Sequence, residues 1–291
     1  MEAPDRTSYA ALIALARQED LGAGDLTSEL TIPADRVGQG RLVFRQAGVL
    51  CGLAAATEVL RCYDERLRLE TGRADGQPVA AGDTVAVASG PLRSLLSAER
   101  VVLNFLQRLS GIATLTSRFV AAVAGTEARI YDTRKTTPGW RALEKYAVRC
   151  GGGCNHRQGL YDAVLIKDNH LASLGRGDPA AGLGEAVAKL RQRGWPCAFV
   201  AVEVDGLEQL PAVLAVEGVD IVLLDNMTCE QLRQAVALRD AGGRKGSVQL
   251  EASGAITLAT VRAVAETGVE RISAGALTHS AAWLDVGLDL D

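Results

Sequence analysis

The sequence predicts an α/β fold whose larger part, from about residue 129 onward, is a parallel sheet with crossover helices. Short apolar runs recur along this part of the chain, and amphipathic stretches such as 183–193 and 261–266 separate them. Alternation of this kind indicates strands joined by helices. Thr228 and Gln231 have the spacing of a capping box and Gly268 follows a helical pattern, which predicts a helix start and a helix end. The predicted strands are ARIYD, AVLIKD, FVAVEVD, DIVLLDN, SVQLEASG and RISAGA.

Polar residues lie at the end of every one of these six predicted strands. In a closed β/α barrel the carboxyl ends of all strands meet on one face, where such enzymes bind their substrates. An open doubly wound sheet gathers strand ends only near its switch point, and neither GxGxxG after a strand nor GxxxxGK[ST] occurs. A barrel is therefore the favoured interpretation. The polar strand ends are 132–135, Lys167, Glu203, Asp225, 251–254 and 273–275.

The first part of the chain, before residue 129, has a different pattern of predicted helices and strands. A short amphipathic helix is predicted over 8–18, and a second helix over 53–62 lies among short alternating runs. These runs are RLVFR, RLRLE and TVAVAS. A long helical pattern covers 94–109, and the Ser110-Gly111 pair is expected to end it.

The composition of the chain excludes several classes of protein. The chain has 291 residues and a formal net charge of −4, which provides no overall attraction to nucleic acid or to anionic lipid. The acidic start lacks the apolar core of a signal peptide, and no apolar run is long enough to cross a bilayer. Six dispersed cysteines without a secretion signal indicate reduced thiols. The expected location is the cytoplasm, with no nucleic-acid or membrane partner.

The segment 131–170 is basic within this acidic chain. Seven lysines and arginines outnumber four acids, and two of the three histidines also lie there. A solvated charged face is the ordinary meaning of such a run. The cations, however, lie in separate clusters at strand ends or beside glycine-rich turns, where functional groups gather. We interpret the segment as an anion-binding site, while Arg141, Lys145 and Arg149, at helical spacing, are expected to form a solvated helix face.

The strand-end residues indicate a reaction class. Arginine holds carboxylates through paired hydrogen bonds. Glu203 and Asp225 are suited to Mg²⁺ or to a developing positive charge, whereas Glu251 is as well explained by a structural salt bridge as by a metal contact. Gly254 and Gly275 precede helix starts and are suited to a phosphate group. Anion, metal and phosphate together suggest transfer from a phosphorylated sugar.

The string DTRKTTPGWRALEKYAVRCGGGCNHRQGLYDAVLIKDNH resembles the signature of the quinolinate phosphoribosyltransferases, also called carboxylating nicotinate-nucleotide pyrophosphorylases. The resemblance extends to EDLGAGDLTS, SAERVVLNFLQRLSGIAT, VEVD, LLDN and ETGVERISAGALTHS, and so covers nearly the whole chain. A related group, the ModD-type pyrophosphorylases, shares the TRKT element but lacks GGGxNHR combined with KDNH.

The resemblance implies a fold and a reaction. The fold is an N-terminal α/β sandwich domain packed on an incomplete parallel α/β barrel, working as a homodimer. It places the sandwich at 1–110, with the tail 276–291 returning to it, and the barrel at 111–275. The implied reaction joins quinolinate and phosphoribosyl pyrophosphate, with Mg²⁺, into nicotinate mononucleotide, pyrophosphate and CO₂, a step of NAD biosynthesis.

The resemblance also implies roles for individual residues. Arg100 is expected to reach the site of the partner subunit. Catalysis is expected from Lys135, Glu203 and Asp225, with both carboxylates also holding the metal. The carboxylates of quinolinate are expected to contact Arg134, His156, Arg157 and Lys167. The other implied substrate contacts are Thr133, Ser253, Gly254, Ser273, Ala274 and Gly275.

Two departures and three alternatives accompany the resemblance. Ala201 stands where relatives often carry a carboxylate, and Trp140 replaces a commoner leucine, which we interpret as packing. The spacing of Cys150, Cys154 and His156 suggests zinc, but no further ligand pair lies nearby. A related pyrophosphorylase acting on another aromatic acid is the second hypothesis for the function. A non-enzymatic anion-binding protein is the third, and the retained Glu203 and Asp225 argue against it.

Overall fold

The computed structural model describes residues 2–167, 170 and 179–290. The chain divides into two compact units. The first contains Met1–Ser117, Thr136–Gly153 and Leu277–Asp291, and the second contains Arg118–Lys135 and Cys154–Ala276. In the described part of the chain, no helix is both long and apolar enough to cross a membrane.

The first unit is built around a four-stranded antiparallel sheet in the order β12-β1-β5-β3, with a separate β2–β4 pair. The last strand pairs with the first along its length, from Gly40 opposite Leu290 to Phe44 opposite Val286. The strands are β1 Val37–Phe44, β2 Gly48–Val49, β3 Arg68–Thr71, β4 Pro78–Val79, β5 Thr84–Pro91 and β12 Val286–Leu290. The first helices are α1 Ala10–Leu21, α2 Leu26–Thr31, α3 Leu53–Tyr63, α4 Leu92–Ala122 and α5 Arg141–Cys150.

Helix α4 continues through Ser110 and Gly111 to Ala122, so the predicted end at this pair was wrong. Both residues serve packing instead. The Ser110 hydroxyl donates to the carbonyl of Cys51 at 3.1 Å and accepts from its amide at 2.9 Å. At Gly111 an added Cβ would lie 2.1 Å from the carbonyl oxygen of Ala282, so the missing side chain lets the tail approach the helix.

Helix α5 is buried along most of its length, and the prediction of a solvated face was wrong for Lys145, which has no exposed surface. Glu144, also fully buried, binds the guanidinium of Arg108 at 2.6 Å. The Tyr146 hydroxyl donates to Asp75 at 3.0 Å. The ring of Trp140 stacks on Phe105 at 4.5 Å, which confirms its packing role.

These contacts explain why 136–153 belongs to the first unit, although a single boundary at residue 110 would assign it to the barrel. A buried ion pair, a buried hydroxyl and an aromatic stack hold α5 there. The domain limits 1–110 and 111–275 remain a prediction.

The second unit contains a six-stranded parallel sheet in the order β6-β11-β10-β9-β8-β7. Neighbours from β7 to β11 follow chain order, and β6 pairs with β11, so the circular order of a barrel is kept but open between β6 and β7. Cys154 forms a single parallel bridge with Tyr131 beside β6. This arrangement confirms the incomplete parallel α/β barrel. The strands are β6 Arg129–Tyr131, β7 Val164–Ile166, β8 Val200–Val204, β9 Ile221–Asp225, β10 Gln249–Ser253 and β11 Arg271–Ser273.

Helices follow the strands as predicted. Thr228 and Gln231 form the capping box at the start of the helix after β9, and Gly268 has a φ of 95° between the next helix and β11. The remaining helices are α6 Pro179–Arg193, α7 Leu210–Leu214, α8 Cys229–Ala241, α9 Val261–Ala265 and α10 Ala276–His279.

Candidate active site

A cavity of about 490 Å³ opens at the carboxyl ends of the barrel strands. Strand ends β6 to β11 contribute its walls, together with the loop after the Cys154 bridge. The polar side chains lining it carry both signs of charge. The predicted site residues around this cavity are Thr133, Arg134, Lys135, His156, Arg157, Lys167, Glu203, Asp225, Ser253, Gly254 and Ser273.

Three predicted site residues are not among the lining residues. Ala274 and Gly275 follow β11 directly, next to Ser273. Arg100 belongs to the first unit, where it is exposed on α4. Asp168 and Asn169 of the KDNH motif lie outside the described residues.

A larger cavity of about 650 Å³ lies elsewhere in the second unit, between α6 and the start of β7. Its walls are mainly apolar, including Leu160, Tyr161 and Trp195. Among the described residues that line it, none is a predicted site residue and none is a carboxylate. The smaller cavity is therefore the better candidate for chemistry on charged substrates.

The loop carrying His156 and Arg157 is held by a buried carboxylate at the end of β6. Asp132, with no exposed surface, accepts from the His156 amide at 2.8 Å and from the Asn155 side chain at 2.6 Å. The His156 Nδ1 accepts from the Arg157 amide at 2.8 Å. Neither Asp132 nor Asn155 was predicted as a site residue, although both stand inside the central motif.

Arg134 and Arg157 together make this side of the cavity strongly cationic. Burial lowers the pKa of the Arg157 guanidinium, the positive charge of Arg134 lowers it further, and Asp162 opposes both effects. Two arginines held close in a partly buried site favour an anion with more than one negative charge.

Lys167 and Glu203 are bonded to each other at the carboxyl ends of the neighbouring strands β7 and β8. The Lys167 Nζ lies 2.7 Å and 3.0 Å from the two carboxylate oxygens of Glu203. Glu203 is largely buried at the end of β8, whereas the Lys167 side chain is about half exposed. The resemblance assigns these residues to different substrates, and the structure places them in direct contact.

Glu251 makes the salt bridge that the sequence left as one of two alternatives. Its Oε2 accepts from the Arg271 Nε at 2.7 Å, and its Oε1 lies 3.5 Å from the His156 Nε2. The Arg271 guanidinium stacks over Tyr131 at 3.6 Å from the ring centre. Arg271 was not identified from the sequence as the partner of Glu251. Arg271 is the first residue of β11, and no local sequence pattern indicates which carboxylate it contacts.

Asp225 ends β9, and Asn226 follows it on the cavity wall. The Asn226 side chain donates to the Asp225 Oδ2 at 2.8 Å. Ser253 and Asp225 are register partners in the adjacent strands β10 and β9. Glu203 and Asp225 supply carboxylate oxygens of the type that Mg²⁺ prefers. Among the described residues, no group of three or more His, Cys, Asp or Glu is arranged to hold a metal ion.

An incomplete barrel with cations at its early strand ends and carboxylates at its later ones defines an enzyme site for anionic substrates. Residues 25–110 match the quinolinate phosphoribosyl transferase N-terminal domain. Residues 112–289 match the C-terminal domain of the same family. The chain belongs to the quinolinate phosphoribosyltransferase family.

Named relatives and solved structures are similar over almost the whole chain. It is 45% identical over 282 residues to the carboxylating nicotinate-nucleotide pyrophosphorylase of Mycobacterium leprae, covering 94% of both chains. It is 39% identical to the decarboxylating quinolinate phosphoribosyltransferase 1b of Nicotiana tabacum, covering 96% of this chain and 81% of that protein. The nicotinate-nucleotide pyrophosphorylase of Francisella tularensis superposes with a TM-score of 0.89 at 38% identity, covering 99% and 97% of the two chains.

Proposed function

We propose that the protein transfers the phosphoribosyl group of phosphoribosyl pyrophosphate to quinolinate, with loss of CO₂. The products are nicotinate mononucleotide and pyrophosphate, in de novo NAD biosynthesis. One observation carries the proposal: in a member of this family, a single cavity combines the cations and the carboxylates that the two substrates require. We call Arg134, Arg157 and Lys167 the cationic wall, and Glu203 and Asp225 the carboxylate wall.

The cationic wall is suited to quinolinate, which has two adjacent carboxylates. Arg134, Arg157 and Lys167 supply the positive charges, and His156 lines the same wall. Arginine binds a carboxylate through two parallel hydrogen bonds, which also orients the pyridine ring. The Lys167 Nζ is bonded to Glu203, and as an ammonium with three N–H donors it can contact a substrate carboxylate as well.

The carboxylate wall and the strand ends beside it are suited to the sugar phosphate. Lys135, Glu203 and Asp225 face the ribosyl and pyrophosphate groups in this proposal, with Thr133 beside Lys135. The phosphate is proposed to lie at the strand ends Ser253-Gly254 and 273–275, where Ser253, Gly254 and Ser273 line the cavity. The Ala274 amide donates to the Tyr131 carbonyl at 3.0 Å and so holds this strand end in place. Glu203 and Asp225 would hold Mg²⁺, which neutralises the leaving pyrophosphate when it is bound.

The chemistry needs no nucleophile from the protein. The pyridine nitrogen attacks C1 of the ribose while pyrophosphate leaves, and fixed carboxylates stabilise the positive charge that develops on the sugar. The ring nitrogen becomes cationic, which makes loss of the adjacent carboxylate as CO₂ easier. The ring carbon then takes up a proton to complete nicotinate mononucleotide.

The proposal includes a homodimer in which Arg100 completes the neighbouring subunit's quinolinate site. Its exposure on α4 leaves the guanidinium accessible to a partner chain. The proposed location is the cytoplasm, supported by the six cysteines, all free thiols in the structure.

The test is the release of nicotinate mononucleotide from quinolinate and phosphoribosyl pyrophosphate with Mg²⁺, followed by chromatography. Omission of Mg²⁺ should stop the reaction, and replacing quinolinate by nicotinate should leave little product. Absence of nicotinate mononucleotide with both substrates and Mg²⁺ present would overturn the proposal. Equal turnover of another aromatic acid would favour a related pyrophosphorylase instead.

A further inference from the structure

Asn226 holds an unusual backbone conformation at the end of β9. Among the described residues other than glycine, only Asn226 and Ala255 have a positive φ, of 53° and 48°. Both line the candidate active-site cavity. Left-handed conformations are costly for most residues, and they are concentrated at functional sites where the surrounding structure enforces them. Asparagine is among the residues that tolerate the conformation best.

The side chain of Asn226 folds back onto the preceding residue. Its Nδ2 donates to the Asp225 Oδ2 at 2.8 Å, while its backbone amide donates to the Ser253 carbonyl at 2.9 Å. In the described part of the chain this is the one hydrogen bond found for the Asp225 carboxylate. The side chain and the backbone of Asn226 therefore connect Asp225 to the adjacent strand β10.

Gly254 leaves the space that the Asn226 carboxamide occupies. A Cβ added at Gly254 would lie 2.1 Å from the Asn226 Oδ1 and 3.0 Å from its backbone nitrogen. Gly254 also has a φ of 99°, which side-chain-bearing residues rarely adopt. Asn226 in this conformation therefore requires glycine at 254, because its carboxamide packs where any other residue would place its first side-chain carbon.

We propose that Asn226 is a positioning residue that aims the Asp225 carboxylate at the phosphoribosyl donor. Asp225 is half-buried at a strand end, where a short carboxylate rotates easily unless a neighbour holds one oxygen. The hydrogen bond from Asn226 holds the Oδ2 atom of Asp225, and this fixes the orientation of the second carboxylate oxygen, Oδ1. Electrostatic stabilisation of a developing charge depends on such preorganisation. This inference rests on the proposed function and deepens it, since it separates donor activation from quinolinate binding.

Asn226→Gly removes the carboxamide while keeping the turn, because glycine adopts the left-handed conformation freely. We expect kcat/KM for phosphoribosyl pyrophosphate to fall about tenfold, as for the loss of one hydrogen bond to a charged group. Quinolinate affinity, measured by calorimetry without the donor, should stay within about twofold of wild type, because the cationic wall is untouched.

Asn226→Asp is the second variant, and it tests the inference if the Asn226→Gly protein does not fold. Aspartate matches asparagine in size and also tolerates the left-handed conformation, but it replaces the donor by a second carboxylate. At least the same loss of kcat/KM is expected. Gln231→Ala is the matched control: it breaks the capping box of α8 nearby without touching Asp225, and should lower the melting temperature while kcat/KM is retained.

Wild-type kcat/KM in both Asn226 variants would overturn the inference and leave Asn226 as a turn residue. The inference would also be overturned if both variants lost quinolinate affinity together with kcat/KM, because Asn226 would then stabilise the whole cavity and not Asp225 alone. Failure of the proposed function is seen separately, since the wild-type chain itself would release no nicotinate mononucleotide.

Discussion

At the scale of single residues, the proposed function divides the cavity between groups that hold quinolinate and groups that act on the sugar. The Lys167–Glu203 ion pair joins the two sets, because each partner belongs to a different substrate in the proposed function. Substitutions on the two walls should therefore have different kinetic signatures, which makes the assignment testable residue by residue.

Arg134→Ala should abolish detectable quinolinate binding in calorimetry. A desolvated carboxylate that loses its bidentate partner costs roughly 2–5 kcal/mol. Arg129→Ala is a matched control, because Arg129 is exposed at the amino end of the same strand β6. Wild-type affinity in the Arg134 variant would count against the cationic wall as the quinolinate site, as would equal affinity for nicotinate and quinolinate in the wild type.

Glu203→Gln should lower kcat by roughly 10²-fold or more, because a fixed charge facing the developing positive charge is lost. Quinolinate affinity should be kept or increased, because the Lys167 ammonium is released from its ion pair. Calorimetry and steady-state rates on one preparation separate the two effects. Glu230→Gln is the control, because Glu230 lies on the exposed surface of α8. Near-normal turnover in the Glu203 variant would show that Glu203 does not face the developing charge.

At the scale of elements, α4 illustrates how contact with another segment overrides a local breaking signal. Glycine in the middle of a helix costs roughly 1 kcal/mol relative to alanine. The helix nevertheless runs through Gly111, because the backbone of Ala282 lies against it. Gly184 in α6 is the opposite case, because no atom of the described residues lies within 4 Å of an added Cβ.

Gly111→Ala should therefore destabilise the protein by about 1–3 kcal/mol or more, since overpacking against a fixed carbonyl outweighs the gain in helix propensity. Gly184→Ala should stabilise it by roughly 0.5–1 kcal/mol, since it has the same propensity gain and no clash. Urea unfolding followed by circular dichroism measures both. A Gly111 variant as stable as the Gly184 variant would show that the tail moves away from α4 at little cost.

At the scale of the whole molecule, the central proposal is that each active site is shared between two subunits. Arg100 lies on α4 in the first unit, whereas the cavity is built from residues of the second unit. Arg100→Ala should then resemble Arg134→Ala in losing quinolinate affinity, and a monomer should be nearly inactive.

Mixing the Arg100→Ala and Arg134→Ala proteins should restore activity. In each mixed dimer one site combines an intact Arg100 with an intact Arg134, while the other site carries both defects. Random exchange makes half of the dimers mixed, so about a quarter of all sites should recover, by the symmetry of a two-fold dimer. Activity that stays absent after independently confirmed subunit exchange would place Arg100 outside the partner's site.

The amino-acid sequence by itself determined the parallel sheet, the polar strand ends and the family. These rest on local patterns: apolar periodicity, the capping box at Thr228, and a long motif around Arg134 and His156. Local patterns specify elements because a strand or a helix buries one face at a fixed period. The order of the strands then brings their carboxyl ends together, which is why most predicted site residues line one cavity.

The tertiary structure alone decided which of these groups touch. The sequence indicated neither the burial of Lys145 nor the continuation of α4, because both depend on segments far away in the chain. The Arg271–Glu251 pair, the Lys167–Glu203 pair and the space at Gly254 for the Asn226 carboxamide likewise depend on strand neighbours. Contacts of this kind are set by sheet order and close packing, which no local sequence pattern encodes.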